Sequence, residues 1–250
     1  MRSPSVPPTS GRWGLQAVGV SALLAAPIVA VTYPPLTDLP QQVAQMHLLE
    51  QTLAGDARFE VQWWHPNKLA YLPIALGWLV GGGLWAAKVV ATTIVVAWTV
   101  ALHALAAARG RSLTAAALAS TLVWNHATYW GLLTFQLGFP LFVAWMLALD
   151  RETEARPEQR AGEARGSWRQ AAMLMVLALG LYSAHVFWLA AALAWAAVDA
   201  VRRRLAPRVL ALRALAAAPA LLLVAAWYPT LDRSGFVSDV TFGHGLLERL

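Results

Sequence analysis

The stretch Leu84–Ala108 reads LWAAKVVATTIVVAWTVALHALAAA, and it decides the class of fold. It contains 25 residues and a single charged side chain, Lys88. About 20 predominantly apolar residues in an α-helix are enough to cross the hydrocarbon core of a bilayer. A helix that is apolar on every side must be surrounded by protein or by lipid. The stretch therefore predicts a membrane-spanning helix.

The composition of the whole chain extends this interpretation to most of its length. Of the 250 residues, 58% are hydrophobic and 13% are charged, and the mean hydropathy is +0.52. Soluble domains carry about 25% charged residues, which they need to cover their surface. The chain has no cysteine, which excludes disulfides, thiolate catalysis and cysteine-bound metals. We expect an all-α polytopic transmembrane bundle, and not a soluble enzyme or a nucleic-acid-binding domain.

Seven apolar segments are candidates for crossing the membrane. They are Gly14–Thr32, Leu84–Ala108, Leu113–Trp130, Leu132–Leu149, Ala171–Ser183, His185–Val201 and Val209–Trp227. We interpret the first as an uncleaved signal anchor, and a cleaved signal peptide is the alternative. Residues 171–201 are short for two crossings, so a single bent helix is the alternative to two helices that break at Tyr182–His185.

The arginines and lysines predict the orientation of these spans. With a cytoplasmic N-terminus, 14 basic residues lie in cytoplasmic regions and 5 lie on the outer side. Cytoplasmic loops carry an excess of such residues, so this orientation is favoured. The net charge of +6 then reflects topology and does not indicate a nucleic-acid partner. We expect a protein of the plasma (inner) membrane.

Three regions follow from this topology. Residues 1–13 form a disordered cytoplasmic tail, residues 14–228 form the transmembrane helical domain, and residues 229–250 form an extracytoplasmic tail. The tail contains no closing span, so we expect the chain to be truncated relative to a complete enzyme. Within the domain, residues 33–83 form a long extracytoplasmic loop.

The first part of this loop contains a candidate catalytic carboxylate, Asp38. Prolines 34 and 35 end the first span, and Gln41–Leu53 has the apolar spacing of a helix that lies flat on the membrane surface. Asp38 precedes this helix, and Gln41 follows three residues later, a spacing typical of a capping box. Asp38 could cap the helix alone, or it could cap the helix and also take part in chemistry.

The second part of the loop predicts a turn within the outer leaflet. Lys68–Val80 is too short to cross, and Gly81-Gly82-Gly83 follows it, so we expect this segment to enter the membrane and return. Irregular backbone at this depth is tolerated only where protein or a cavity shields it, which suggests a cavity at the outer face. Lys88 comes next, and its ammonium could reach the interface or bind an anion.

Four histidines are predicted on the outer side. They are His47, His65, His126 and His185, and with Trp64 and Lys88 they are the candidate substrate-binding residues. No two have paired ligand spacing such as i, i+4, so we do not expect a metal site or any other cofactor. No glycine-rich phosphate loop is visible either.

The order of these features resembles the GT-C glycosyltransferases, and in particular the protein mannosyltransferases and the lipid A aminoarabinose transferases. The resemblance rests on a span, an outer loop with an aspartate close to the membrane, a surface helix and an outer-leaflet helix. Pro66–Pro73, PNKLAYLP, is similar to the Pro-Pro-Leu-Tyr-Tyr segment of that family. The likeness in layout covers residues 10–228. Asp38 departs from the family pattern, because Leu39 follows it where an Asp-Glu pair is common.

The resemblance implies sugar transfer from a polyprenyl-phosphate donor to an acceptor on the extracytoplasmic side. It assigns the catalytic role to Asp38 and the binding of the phosphate to Lys88, while the lipid tail lies between helices among membrane lipids. Two other classes remain open at this stage: a transporter or lipid flippase, and a non-catalytic membrane assembly factor. A transporter needs a site near the midplane, often between internal repeats.

Overall fold

A computed structural model of the chain describes residues 10–56, 58, 60–154 and 164–231, so residues 1–9, 57, 59, 155–163 and 232–250 lie outside it. Within the described residues there is no strand, which confirms the all-α prediction. The helices are α1 Ser10–Ala30, α2 Leu39–Leu53, α3 Tyr71–Ala108, α4 Leu113–Ser120, α5 His126–Tyr129, α6 Leu133–Glu154, α7 Ala164–Ala184, α8 Val186–Arg203 and α9 Pro207–Trp227. Thr121–Val123 and Tyr228–Thr230 are short 3₁₀ helices.

Four helical segments among the described residues are long and apolar enough to cross a membrane. They are Arg12–Ala30, Tyr71–Ala108, Leu133–Arg151 and Pro207–Thr230. Segments of this length and composition are consistent with an integral membrane protein. The count of about seven crossings stays a prediction.

One predicted span, Leu113–Trp130, is not a continuous helix. It consists of α4, the 3₁₀ turn and α5, which has only four residues. Polar side chains in it bond to nearby backbone groups: the Asn125 side chain accepts from the Thr128 N–H, and the Thr121 hydroxyl donates to the Leu118 carbonyl. Such local bonds compete with regular helix, which explains the breaks.

Helix α3 is sharply bent, as the glycine run predicts. Gly81 and Gly82 have non-helical backbone, and Gly82 has φ +70°, a region that favours glycine. A Cβ atom built on Gly77 would lie 2.5 Å from the carbonyl oxygen of Trp85. Residues eight apart in a straight helix would be about 12 Å apart along its axis. Residues 71–80 therefore fold back onto the following turn as a tight helical hairpin.

Helix α2 forms where the sequence predicts it, but its apolar face is turned to protein and not to the membrane. Leu39, Val43 and Met46 are buried in a core shared with α1 and α3. Its polar face also contacts the hairpin, since the Trp78 indole N–H donates to a Glu50 carboxylate oxygen at 2.6 Å and the Tyr71 hydroxyl bonds to Gln45. These contacts hold α2 against α1 and α3 instead.

A second core lies among α6, α7, α8 and α9. Its largest fully buried side chains are Trp145 and Tyr182. Helices α7 and α8 are separated at His185, whose backbone is extended (φ −170°, ψ 132°), so the predicted break into two helices is confirmed. Aromatic rings join the two cores, since Phe139 stacks on Trp98 of the first core at a centroid distance of 4.1 Å and lies 5.9 Å from Trp188 of the second.

The loops predicted on the outer side meet at one end of the bundle, which we call the Asp38 end. The Thr37 N–H donates to the Tyr129 carbonyl at 2.9 Å, and the Lys68 N–H donates to the Ser183 carbonyl at 2.7 Å. The Tyr182 hydroxyl donates to the Trp64 carbonyl at 2.7 Å. These bonds join segment 33–38 to segment 124–131, and segment 64–69 to segment 182–185.

Candidate functional site

An apolar cavity of about 380 Å³ lies at the Asp38 end of the bundle. Four segments form its wall: the end of α1, the loop that follows it, the middle of α3 and the α5 turn. The lining residues are Pro27, Ile28, Val31, Pro34, Pro35, Leu36, Ala91, Ile94, Val95, Trp124, Thr128 and Tyr129. A cavity of this size accommodates a small molecule or part of a lipid chain.

The wall offers almost no hydrogen-bonding group to an occupant. The Thr128 hydroxyl already donates to the Val123 carbonyl at 2.5 Å. Tyr129 is held through its backbone, because its carbonyl accepts the bond from Thr37. The other lining side chains are predominantly aliphatic, and the three prolines, Pro27, Pro34 and Pro35, have no N–H to donate. This chemistry suits a hydrocarbon chain better than a sugar or an ion.

Asp38 follows Leu36 by two residues, and Leu36 is part of the cavity wall. Its N–H donates to the Trp130 carbonyl at 3.1 Å, and its own carbonyl accepts from Gln42 at 3.1 Å. The carboxylate forms no cap bond, so the predicted capping box with Gln41 is wrong. The backbone at Asp38 is helical (φ −87°, ψ −5°), whereas a capping residue is usually extended. No partner among the described residues holds this half-buried carboxylate.

Lys88 lies on α3 near the same cavity. Its ammonium donates to the Val29 carbonyl at 3.0 Å, one of the last carbonyls of α1. A cation at the C-terminus of a helix is favoured, because the last carbonyls have no partner within the helix. Ala91, one turn further along α3, lines the cavity, but Lys88 itself does not. Lys88 thus has a structural role in joining α1 and α3.

Three other candidates lie around the ends of α7, α8 and α9. Trp64 and His65 pack edge to face at a centroid distance of 4.6 Å, and the His65 ring lies 3.5 Å from the Thr230 hydroxyl. The His185 Nδ1 accepts from the Phe187 N–H at 3.2 Å and so caps α8. Lys68 belongs to the same loop as Trp64, and burial lowers the pKa of its ammonium.

The remaining two histidines lie on exposed surfaces. His47 is on the outer face of α2, with its Nδ1 3.7 Å from Glu50 and its Nε2 3.1 Å from Gln51. His126 begins α5, and its ring lies 5.3 Å from that of Trp130. Neither has a contact with another histidine, so the structure does not bring the four histidines together.

The seven candidates therefore share one end of the bundle but do not converge on one pocket. None of them lines the cavity. Within the described part of the chain, no group of three or more side chains could hold a metal ion. The cavity itself was missed from the sequence, because its wall comes from three regions that are distant along the chain. The prolines at 27, 34 and 35 are the one local signal of an irregular packing there.

A network of charged side chains at the opposite end was missed as well. Asp150 bridges two arginines: one carboxylate oxygen is 2.6 Å from Arg109 and the other is 2.8 Å from Arg203. Asp199 and Arg213 form a buried ion pair at 3.0 Å, and Arg203 also contacts Asp199 at 2.5 Å. The signal was a charged pair inside otherwise apolar helices. We call this the Arg109 end.

Comparison with protein-family models, with curated proteins and with solved structures finds no match to this chain. The function is therefore argued from the geometry of the Asp38 end.

Proposed function

We propose that this chain is an integral membrane protein that transfers a sugar from a polyprenyl-phosphate donor to an acceptor on the extracytoplasmic side. The observation that carries the proposal is the apolar cavity, whose wall includes Leu36, two residues from Asp38. A lipid-linked donor needs a site for hydrocarbon directly beside a polar group that can act on its head. The Asp38 end offers both within one short segment.

The isoprenoid part of the donor would occupy the cavity between α1, α3 and the α5 turn. Pro34–Leu36 would separate this part from the polar head, which would lie toward Asp38. Because the wall has few polar groups, the cavity would select the lipid and leave recognition of the sugar to the loops above it. Trp64 and His65 in segment 64–69 are the candidates for that recognition, since aromatic faces pack well against apolar and cationic groups.

Asp38 is the proposed general base. Its carboxylate would take the proton of the acceptor hydroxyl as that oxygen attacks the anomeric carbon of the sugar. The bond between the anomeric carbon and the phosphate oxygen breaks, and polyprenyl phosphate leaves. Lys88 would stabilise the negative charge of the leaving phosphate with the ammonium protons that Val29 does not accept.

The proposed topology has about seven crossings and a cytoplasmic N-terminus. It is supported by the four outer segments that meet at the Asp38 end and by the arginines that meet at the Arg109 end.

Since the chain lacks cysteine, Trp63→Cys and Arg111→Cys each introduce a single thiol. In intact cells, an impermeant maleimide should label the first and should reach the second only after permeabilisation. Labelling of both from outside would refute the topology.

The reaction is tested by Asp38→Asn in purified protein reconstituted in vesicles with a polyprenyl-phosphate hexose. We expect release of polyprenyl phosphate to fall by 10²-fold or more, as is typical when a general base is lost. Asp56→Asn is the matched control, because Asp56 lies in the same outer loop, but its carboxylate is engaged by Arg58, which lowers its pKa.

Two results would contradict the proposal. One is that Asp38→Asn releases polyprenyl phosphate at the rate of the unchanged protein. The other is that the unchanged protein moves the donor across the bilayer without breaking it, which would make the chain a transporter.

A further inference from the structure

The Arg109 end carries exposed positive charge that the ion-pair network does not use. Three arginines, which we call the arginine patch, lie at the ends of helices: Arg111 after α3, Arg204 directly after α8, and Arg208 in the first turn of α9. All three are exposed. None of them makes an ion pair with a side chain that the structure describes.

Asp150 brings the two turns of the patch together. One of its oxygens binds Arg109, two residues before Arg111, and the other binds Arg203, next to Arg204. A single carboxylate therefore fixes the end of α3 beside the end of α8. Its negative charge is balanced by these two arginines. The negative charge of Asp199 is likewise balanced by Arg203 and Arg213. The described acidic side chains at this end are thus already paired, and the patch stays positive.

The backbone does not explain why arginine occupies position 204. Arg204 ends α8 in the left-handed region, with φ +50°, and its N–H bonds to the carbonyls of Ala200 and Val201. Glycine is the usual residue at such a helix end, because it has no Cβ to clash. The charge of the side chain, and not the turn, therefore accounts for arginine at this position.

The surface beside the patch is apolar. Val198 and Val201 on α8 and Leu210 on α9 are exposed, Val201 to 79%. In a membrane protein, exposed side chains of this kind face acyl chains. A guanidinium group one turn further along the same helix then lies at the depth of the headgroups. Positive groups directly above an acyl-facing surface fit a ligand that is anionic at one end and hydrocarbon at the other.

We infer that the arginine patch binds an anionic phospholipid of the adjacent leaflet, with its phosphate on Arg204 and Arg208 and its acyl chains along α8 and α9. The inference is independent of the proposed sugar transfer, because it concerns the opposite end of the bundle. A soluble anion would use the charges but not the apolar surface. A nucleic acid would need the basic groups to face away from the membrane.

The experiment measures lipid binding by native mass spectrometry of the purified protein in detergent. The probes are dioleoylphosphatidylglycerol and, as its neutral counterpart, dioleoylphosphatidylcholine. A basic residue near a membrane surface strengthens binding of anionic lipid by about fivefold. We therefore expect Arg204→Gln and Arg208→Gln each to weaken phosphatidylglycerol binding about fivefold and to leave phosphatidylcholine binding unchanged.

The control is Arg58→Gln, which removes one exposed positive charge at the Asp38 end. It should leave the binding of both lipids unchanged. The inference is overturned if Arg58→Gln weakens phosphatidylglycerol binding as much as the patch variants do, because net charge alone would then explain it. It is also overturned if the patch variants have no effect, or if glycerol phosphate displaces the lipid at equal concentration. Both arginines lie outside the ion-pair network, so the melting temperature of each variant should stay unchanged.

Discussion

Asp199 and Arg213 form a buried charged pair between α8 and α9, and Arg203 also contacts Asp199. Asp199 is 4% exposed and Arg213 is 7% exposed, and their side chains are 3.0 Å apart. Neither charge can be left alone there, since an unpaired buried charge is far more costly than an unpaired surface charge. The pair therefore fixes how α8 and α9 face each other.

Asp199→Asn should destabilise the protein, because it breaks this buried ion pair. The change removes the negative charge that lies 3.0 Å from the Arg213 guanidinium and 2.5 Å from that of Arg203. We expect the free energy of unfolding in detergent to fall by about 3 kcal/mol, the lower part of the range for a broken buried pair. Asp56→Asn breaks an exposed pair and should leave the stability unchanged. Equal stabilities of the two variants would show that the buried pair does not hold the helices.

Single residues also show where sequence reasoning fails. Asp38 has the spacing of a capping residue, but its backbone angles prevent that role, and spacing alone does not determine backbone angles. The sequence predicts that Lys88 reaches the interface or binds an anion, but it does not predict the bond that its ammonium donates to the end of α1. In both cases the deciding partner, Trp130 or Val29, is distant along the chain.

At the scale of the element, the hairpin of α3 depends on close contact between its two arms. Gly77 lies against the Trp85 carbonyl and the Ala86 backbone, where no side chain fits. The hairpin also holds α2 in position through the Trp78–Glu50 and Tyr71–Gln45 hydrogen bonds. The position of Asp38 at the start of α2 therefore depends on the hairpin being closed.

Gly77→Ala should accordingly open the hairpin. Its methyl group would lie 2.5 Å from the Trp85 oxygen, so the arms must separate. We expect a loss of stability of about 1 to 3 kcal/mol, as for other overpacked sites, together with faster hydrogen exchange in residues 39–53 and 71–80. Gly19→Ala in α1 is the control, because nothing lies within 4 Å of its added methyl group. Alanine favours a helix there, so the control should not lose stability. Unchanged exchange in both variants would refute the account of the hairpin.

The elements themselves were largely predictable. Long apolar runs predicted α1, α3, α6 and α9, and the glycine run predicted the bend in α3, because both signals are local in the sequence. The region 113–130 was not predictable in this way. Its hydropathy is that of a span, but hydroxyl and amide side chains interrupt the helix.

At the scale of the whole molecule, segments that are distant along the chain pack together and form features that the sequence does not predict. The cavity is enclosed by residues 27–36, 91–95 and 124–129, which meet only after α1, α3 and the α5 turn have packed. The hydrophobic pattern within one segment does not predict how distant segments pack. The separation into a loop-rich end and an arginine-rich end was predictable, because charge placement follows membrane topology.

The most direct test of the central claim is photocrosslinking with a polyprenyl phosphate that carries a diazirine in its isoprenoid chain. The purified protein in lipid vesicles is illuminated, and mass spectrometry identifies the labelled residues. We predict labels within residues 27–36, 91–95 and 124–129. Val31→Trp, which fills the cavity from its wall, should remove most of them. Val18→Trp in α1, outside this cavity, should leave them in place. Labels spread over the lipid-facing surface and unaffected by Val31→Trp would contradict the claim.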